Sequence, residues 1–335
     1  METRKLGYSD LQLSTIGLGT WAIGGGDWSW GWGPQDEKES IDTIHRALDL
    51  GINWLDTAAA YGLGRSEEVI ARAISDRRDK VIVATKCGLV WEDDGRGEVT
   101  GLLSAESVRK ETEDSLRRLS TDVIDLYQIH WPTTDEATAE AWTTIADLVA
   151  EGKIRYAGVS NFSIEQLKLI QPIHPVASLQ PEYSMLKRGP EHELLAFCAA
   201  NDIGVVTYSP LRSGILTDGF GRQRLTDLDP DDWRTRDPDF QEPRASINLA
   251  FVENLRALAT RHARPVSQLA IAWNLTRPEV TSAIVGARRS SQIENSAPAG
   301  DWQLPDELLA EIDLLLNERE QLLAEAGAEA SESLR

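Results

Sequence analysis

Residues Ile52 to Gly62 read INWLDTAAAYG, a short apolar run that stops at Asp56 and sets Tyr61 five residues further on. The run has the length of a buried strand, and a helical pattern resumes at Ser66. Two later segments repeat the plan: VIVATK ends at Lys86, and VIDLYQIH ends at His130. Further β-rich runs lie near Thr15 to Leu18, Ile154 to Val159, Val176 to Leu179, Gly204 to Tyr208 and Thr281 to Val285, making eight with the three above. Between them fall helical patterns such as Glu37 to Leu50, Ser66 to Ser75, Ser104 to Leu119, Glu136 to Ala150, Ile164 to Ile170 and Glu191 to Asn201. Several of these open with a capping Ser or Asp. Strands alternating with helices predict a parallel α/β sheet. Eight such units match a closed (β/α)8 TIM barrel better than an open doubly wound sheet, which periodicity alone does not exclude.

The remaining segments fit around that barrel. Arg4 to Leu13 reads as a hairpin turning at Gly7 and Ser9-Asp10, placed to plug the barrel bottom. Gln268 to Leu275 is an extra helix before the eighth strand. Pro210 to Pro243 is rich in Gly, Asp, Arg and Pro without an apolar period, the form of a long functional loop. One domain, 1–320, is expected, followed by a frayed Ala/Glu/Ser-rich tail, 321–335.

Composition narrows the partners. The chain of 335 residues is 41% hydrophobic and 26% charged, enough to build a large core without disulfides. Acidic residues number 54 against 34 basic, and the net charge of -20 disfavours nucleic acid and anionic membranes. Two cysteines, Cys87 and Cys198, suit core thiols in a reducing compartment. With no apolar leader at the start, a cytoplasmic protein is expected, monomeric or homo-oligomeric. The five histidines are scattered, so no metal site is expected.

Asp56, Lys86 and His130 close three successive strands, and Tyr61 follows the first of them. Singly, each has a structural explanation: a cap, a snorkelling lysine, a half-buried imidazole, a loop aromatic. Repeated at one end of a barrel, where sites of this fold are built, they make a shared site. The set suits protonation of a carbonyl oxygen. A lysine ammonium would lower the phenol's pKa, an aspartate would hold the lysine charged, and an imidazole would orient the substrate.

The chain resembles the aldo-keto reductase superfamily from GLGTW near the start to the last helix. Asp56, Tyr61, Lys86 and His130 match the family's catalytic tetrad in order and context. Further family segments follow in register: GVSNF at Gly158 to Phe162, Gln180 with Pro181, YSPL at Tyr208 to Leu211, and VGARRSSQIEN. The resemblance implies NADP(H)-dependent reduction of an aldehyde or ketone, with NADPH preferred and Tyr61 as proton donor.

Residue by residue, it places Thr20, Trp21 and Asp56 by the nicotinamide and its ribose. It gives Ser160, Asn161 and Gln180 to the carboxamide and Tyr208 to the ring face. Ser209, Pro210, Leu211, Arg212 and Ser213 fall to the pyrophosphate, with the irregular loop after Leu211 as a strap over the cofactor. Gly286, Ala287, Arg288 and Gln292 surround the adenosine and its 2'-phosphate. The family's closing Glu-Asn pair recurs as Glu294-Asn295, one position early, so Asn295 and Ser296 are alternatives for the adenine contact. Trp21, Tyr61, His130 and Trp131 line the substrate mouth, with Trp28, Trp30 and Trp32 on a nearby loop.

Gly17, Gly19 and Ala22 also spell the G-x-G-x-x-A dinucleotide fingerprint, but GGGDWSWGWG follows where that fingerprint requires a helix. Two other functions stay in view: oxidation of a sugar or polyol by the same tetrad, and a slow-turnover cofactor-binding regulatory subunit.

Overall fold

A computed structural model describes the chain apart from residues 27, 29, 93–96, 231 and 333–335 and the side chains of 327–332. Eight parallel strands close into a barrel: β1 Ile16–Gly19, β2 Trp54–Asp56, β3 Ile82–Cys87, β4 Ile124–Ile129, β5 Ile154–Ser160, β6 Ser178–Gln180, β7 Gly204–Thr207 and β8 Val280–Gly286. Each strand pairs with its successor, and β8 returns to β1 through Val285 opposite Leu18. The open-sheet alternative is thereby removed.

The pleat decides what enters the barrel. Residues two apart on a strand share a face, so Trp54 and Asp56 point the same way, as do Ala84 and Lys86, and Leu126 and Gln128. The first member of each pair belongs to an apolar cluster at the barrel bottom, with Ala177, Val206 and Ile284. The hairpin Thr3–Lys5 with Gln12–Ser14 caps this cluster by adding Leu6, Leu11 and Leu13, all buried. Its Gly7 has φ +49°, and an added Cβ there would lie 2.5 Å from the Asp202 carbonyl oxygen.

Expected helices recur with small shifts. Ser104 caps Ala105–Leu119, and Ser163 builds a capping box on Ile164–Ile170. The Glu191 to Asn201 pattern shortens to Leu194–Ala200, because Gly189–Glu191 forms a separate 3-10 turn containing Pro190. The extra helix is Val266–Asn274. Elements not anticipated include a small hairpin, Leu89–Val90 with Thr100–Gly101, and the long helix Arg244–Arg261 that follows the irregular loop. The last helix runs Asp306–Glu332, so the tail expected to fray continues as helix as far as it is described, and 333–335 lie outside the described residues. Both cysteines are buried and free. Among the described residues no helix is long and apolar enough to cross a membrane.

Gly17 has a packing reason, not a phosphate-binding one. A Cβ on it would fall 2.1 Å from Trp54 Cε2. The indole of Trp54 is in turn fixed by Nε1 donating to Ser14 O at 3.2 Å and Ser282 Oγ at 3.1 Å. Gly17→Ala is therefore expected to cost about 3 kcal/mol through overpacking at the barrel bottom. Urea unfolding checks this, and ligand affinities of the folded variant should be unaltered.

Candidate active site

The polar layer above the bottom cluster is organised by one carboxylate. Asp56 Oδ2 accepts from Lys86 Nζ at 2.8 Å, and its Oδ1 accepts from Gln180 Nε2 at 2.8 Å, tying β2 to β3 and across the barrel to β6. Lys86 spends its other donors on Thr57 O at 2.8 Å and Tyr61 Oη at 3.3 Å. Lys86 is 1% exposed and Asp56 3%, so the pair is enclosed, whereas the residues Tyr61 and His130 keep some surface. The Tyr61 and His130 rings meet edge to face, with centroids 5.7 Å apart. Thus Asp56, Tyr61, Lys86 and His130 come together at the C-terminal mouth of the barrel.

Beneath them, Thr20 donates its hydroxyl to Asp56 O at 2.9 Å and is itself fully buried, so its side chain supports β2. Ser66 bridges Thr20 and Thr57 through hydroxyl contacts of 2.8 and 3.0 Å.

The protonation states follow from enclosure. Burial pushes the Tyr61 phenol well above its ordinary value, and the Asp56 charge adds to that. This reverses the expected lowering by Lys86. The reason is local: the cost of burying a phenolate comes first, the Asp56 charge adds to it, and together they outweigh the contact with the ammonium at 3.3 Å. Burial lowers the Lys86 ammonium, with Asp56 opposing. Burial, and then the Lys86 charge, hold the His130 imidazole well below its usual range. The mouth therefore presents a neutral phenol and a neutral imidazole across the middle of the pH scale.

Of the residues assigned to a cofactor by resemblance, Ser160, Asn161, Gln180 and Tyr208 are linked by hydrogen bonds. Asn161, with φ +63°, donates from Nδ2 to His130 O at 3.1 Å and to Ser160 Oγ at 3.0 Å, and its Oδ1 accepts from Tyr208 Oη at 2.9 Å. Ser160 donates to Gln180 O at 2.9 Å. Ser209, Arg212, Ser213 and Gly214 all have positive φ, the backbone form from which anion-binding concavities are built. Pro210 and Leu211 lie inside that turn. At the end of β8, Gly286 is exposed, Ala287 is buried, and Gln292 Oε1 accepts from Arg288 N at 2.8 Å. Asn295 is exposed, with Nδ2 donating to Ser267 Oγ at 3.0 Å, while Ser296 is buried. The concave turn, Arg288 and Arg289 after β8 and the buried indole nitrogen of Trp21, which has no hydrogen-bond partner among the described residues, fit an anionic dinucleotide.

Some side chains do other work. The Arg212 guanidinium is buried and pairs with Asp239 at 2.7 Å, Asp237 at 2.6 Å and Glu182 at 3.4 Å, so it anchors the irregular loop and leaves only its backbone to the concave turn. Arg288 Nε donates to Gln35 Oε1 at 2.7 Å. Trp131 is 48% exposed beside His130. Sequence reasoning passed over Trp233, which lies 5.9 Å from the Trp21 ring, because no period marks its loop. It noted Trp28 without placing it, and the structure sets that ring 6.1 Å from Tyr61. Thr57 acts through its carbonyl, which no residue type announces. Among the described residues no cluster of His, Cys, Asp or Glu could hold a metal.

Because the Asp56–Lys86 pair is enclosed, removing one partner strands the other charge. Lys86→Met is expected to cost about 3–5 kcal/mol of stability, and the double variant with Asp56→Asn less than Lys86→Met alone. Denaturant unfolding of the three proteins tests this.

Comparison with known proteins agrees with the architecture. Residues 15–317 match the family model described as Aldo/keto reductase family. Aldo-keto reductase YhdN of Bacillus subtilis (strain 168) is 40% identical over 94% of both chains. The NADH-specific methylglyoxal reductase of Escherichia coli (strain K12) is 36% identical over 91% of this chain and 95% of its own. The solved structure of a glycerol dehydrogenase from Gluconobacter oxydans superposes with a TM-score of 0.87 at 38% identity, covering 95% of this chain and 96% of that one. With its closed eight-stranded barrel and a family match over nearly its whole length, this chain belongs to the aldo-keto reductase family.

Proposed function

We propose that the chain is a nicotinamide-dinucleotide-dependent reductase that converts an aldehyde or ketone to an alcohol, with Tyr61 as the proton donor. The observation that carries this reading is the Tyr61 hydroxyl, 3.3 Å from a Lys86 ammonium that Asp56 fixes, with the His130 ring against it. The bound cofactor would supply the hydride to the carbonyl carbon. Tyr61, kept protonated by burial, gives its proton to the carbonyl oxygen as negative charge develops there. Lys86 then stabilises the phenolate left behind. A neutral His130 can donate one ring N–H to the same oxygen and set its angle. Trp21, Trp28 and Trp131 wall the approach. Asn161, Gln180 and Tyr208 hold the nicotinamide end, and the turn 209–213 takes the pyrophosphate.

The same groups in reverse would oxidise an alcohol, the direction named for the Gluconobacter relative. A panel of aldehydes, ketones, sugars and polyols, assayed with both reduced and both oxidised cofactors, separates the two directions and also detects a protein that binds cofactor without turnover. Tyr61→Phe is expected to lower turnover at least about a hundredfold with cofactor affinity retained. Near-normal turnover would remove Tyr61 from its role.

NADPH is the proposed preferred partner, because Arg288 and the adjacent Arg289 bring positive charge to the adenosine end in a chain of net charge -20. Equilibrium titration should show NADPH at least about tenfold tighter than NADH. Arg288→Ala should narrow that gap by weakening NADPH alone. The opposite preference, as named for the Escherichia coli relative, would overturn the assignment.

A further inference from the structure

Arg288 is already in use. Its Nε donates to Gln35 Oε1 at 2.7 Å, its Nη1 to Trp32 O at 2.8 Å and its Nη2 to Pro34 O. Gln35 Nε2 returns a bond to Arg288 O at 2.8 Å, so the two residues grip each other from both sides. Among the described residues Arg288 forms no salt bridge, in a chain whose net charge is -20. Its charge is met by the neutral acceptors of the segment between β1 and the helix Glu37–Asp49.

A guanidinium binds phosphate best as a fork, through two parallel N–H groups on one edge. Nε carries a single hydrogen. While Gln35 holds that hydrogen, the Nε edge of Arg288 is closed to any other acceptor.

We propose that Gln35 is a specificity-determining residue for the cofactor: it competes with the ribose 2'-phosphate for the Nε edge of Arg288 and so sets how far NADPH is favoured over NADH. This rests on the placement of Arg288 at the 2'-phosphate given above. NADH carries a hydroxyl at that position, makes no claim on the fork and leaves the Gln35 tie intact. NADPH gains a charged pair but must break the tie, and its advantage is the difference between the two. Gln35 is half-buried in a loop, so substitutions there are compatible with folding. A residue that merely braced the loop would affect both cofactors alike.

Calorimetric titration of NADP+, NAD+ and adenosine 2',5'-bisphosphate into the wild type, Gln35→Ala and Gln35→Glu decides the matter. Gln35→Ala should tighten NADP+ and the bisphosphate about threefold or more and leave NAD+ unchanged. Gln35→Glu puts a carboxylate against Nε, and should loosen the same two ligands about tenfold, most at low salt, again sparing NAD+. Parallel changes in NADP+ and NAD+ affinity, or weaker NADP+ binding in Gln35→Ala, would overturn the proposal. If Arg288→Ala leaves NADP+ and bisphosphate affinity unaltered, the placement of Arg288 itself fails, and this inference with it.

Discussion

The Asp56 carboxylate is the constraint around which the barrel mouth is arranged. It takes a hydrogen bond from Lys86 on one oxygen and from Gln180 on the other, in a place from which water is excluded. A charge so enclosed is tolerated only when its partners are fixed and its lone pairs used. Lys86 is thereby positioned by Asp56 and Thr57, and it presents one remaining donor to Tyr61. Misplacement of β2 or β3 would strand a charge, and misplacement of β6 would leave an Asp56 oxygen without its donor. The geometry of the site and the register of β2, β3 and β6 are thus one condition.

Charge placement also sets the acid-base character of the mouth. A lysine beside a tyrosine invites the expectation of a depressed phenol pKa, but that holds only where the ammonium's attraction outweighs the cost of burying the phenolate. Here desolvation outweighs it, and burial governs both Tyr61 and His130. The result is a pair of neutral donors, the form suited to a carbonyl oxygen that gains negative charge during reduction.

Around this layer different forces hold different parts of the irregular loop. At its far end the fully buried Asp239 gathers Arg212 at 2.7 Å, Arg244 at 3.2 Å and Lys187 at 3.3 Å. Nearer the mouth, Trp233 packs against Trp21 and Trp32, and the Arg234 guanidinium lies 4.9 Å over the Trp32 ring. Trp32 also gives its carbonyl to Arg288. The loop, the tryptophan segment and the end of β8 therefore share one contact network.

The sequence by itself determined the eight strands, most of the helices between them, the hairpin below them and the alignment of Asp56, Lys86 and His130 with strand ends. These follow from periodicity and from the pleat, which are local properties of the chain. Helix boundaries moved little where a Ser cap was present, as at Ser104 and Ser163, and more where a proline turn intervened before Leu194. Only the tertiary structure decided why Gly17 must be glycine, since the Trp54 ring that excludes a side chain comes from the neighbouring strand. It alone decided that Arg212 and Arg288 face protein acceptors and that Trp233 reaches Trp21, because their partners lie 25 to 256 residues away in the chain. It also decided the direction in which the Tyr61 phenol shifts. Desolvation depends on everything packed around a group, and no spacing along a chain encodes it.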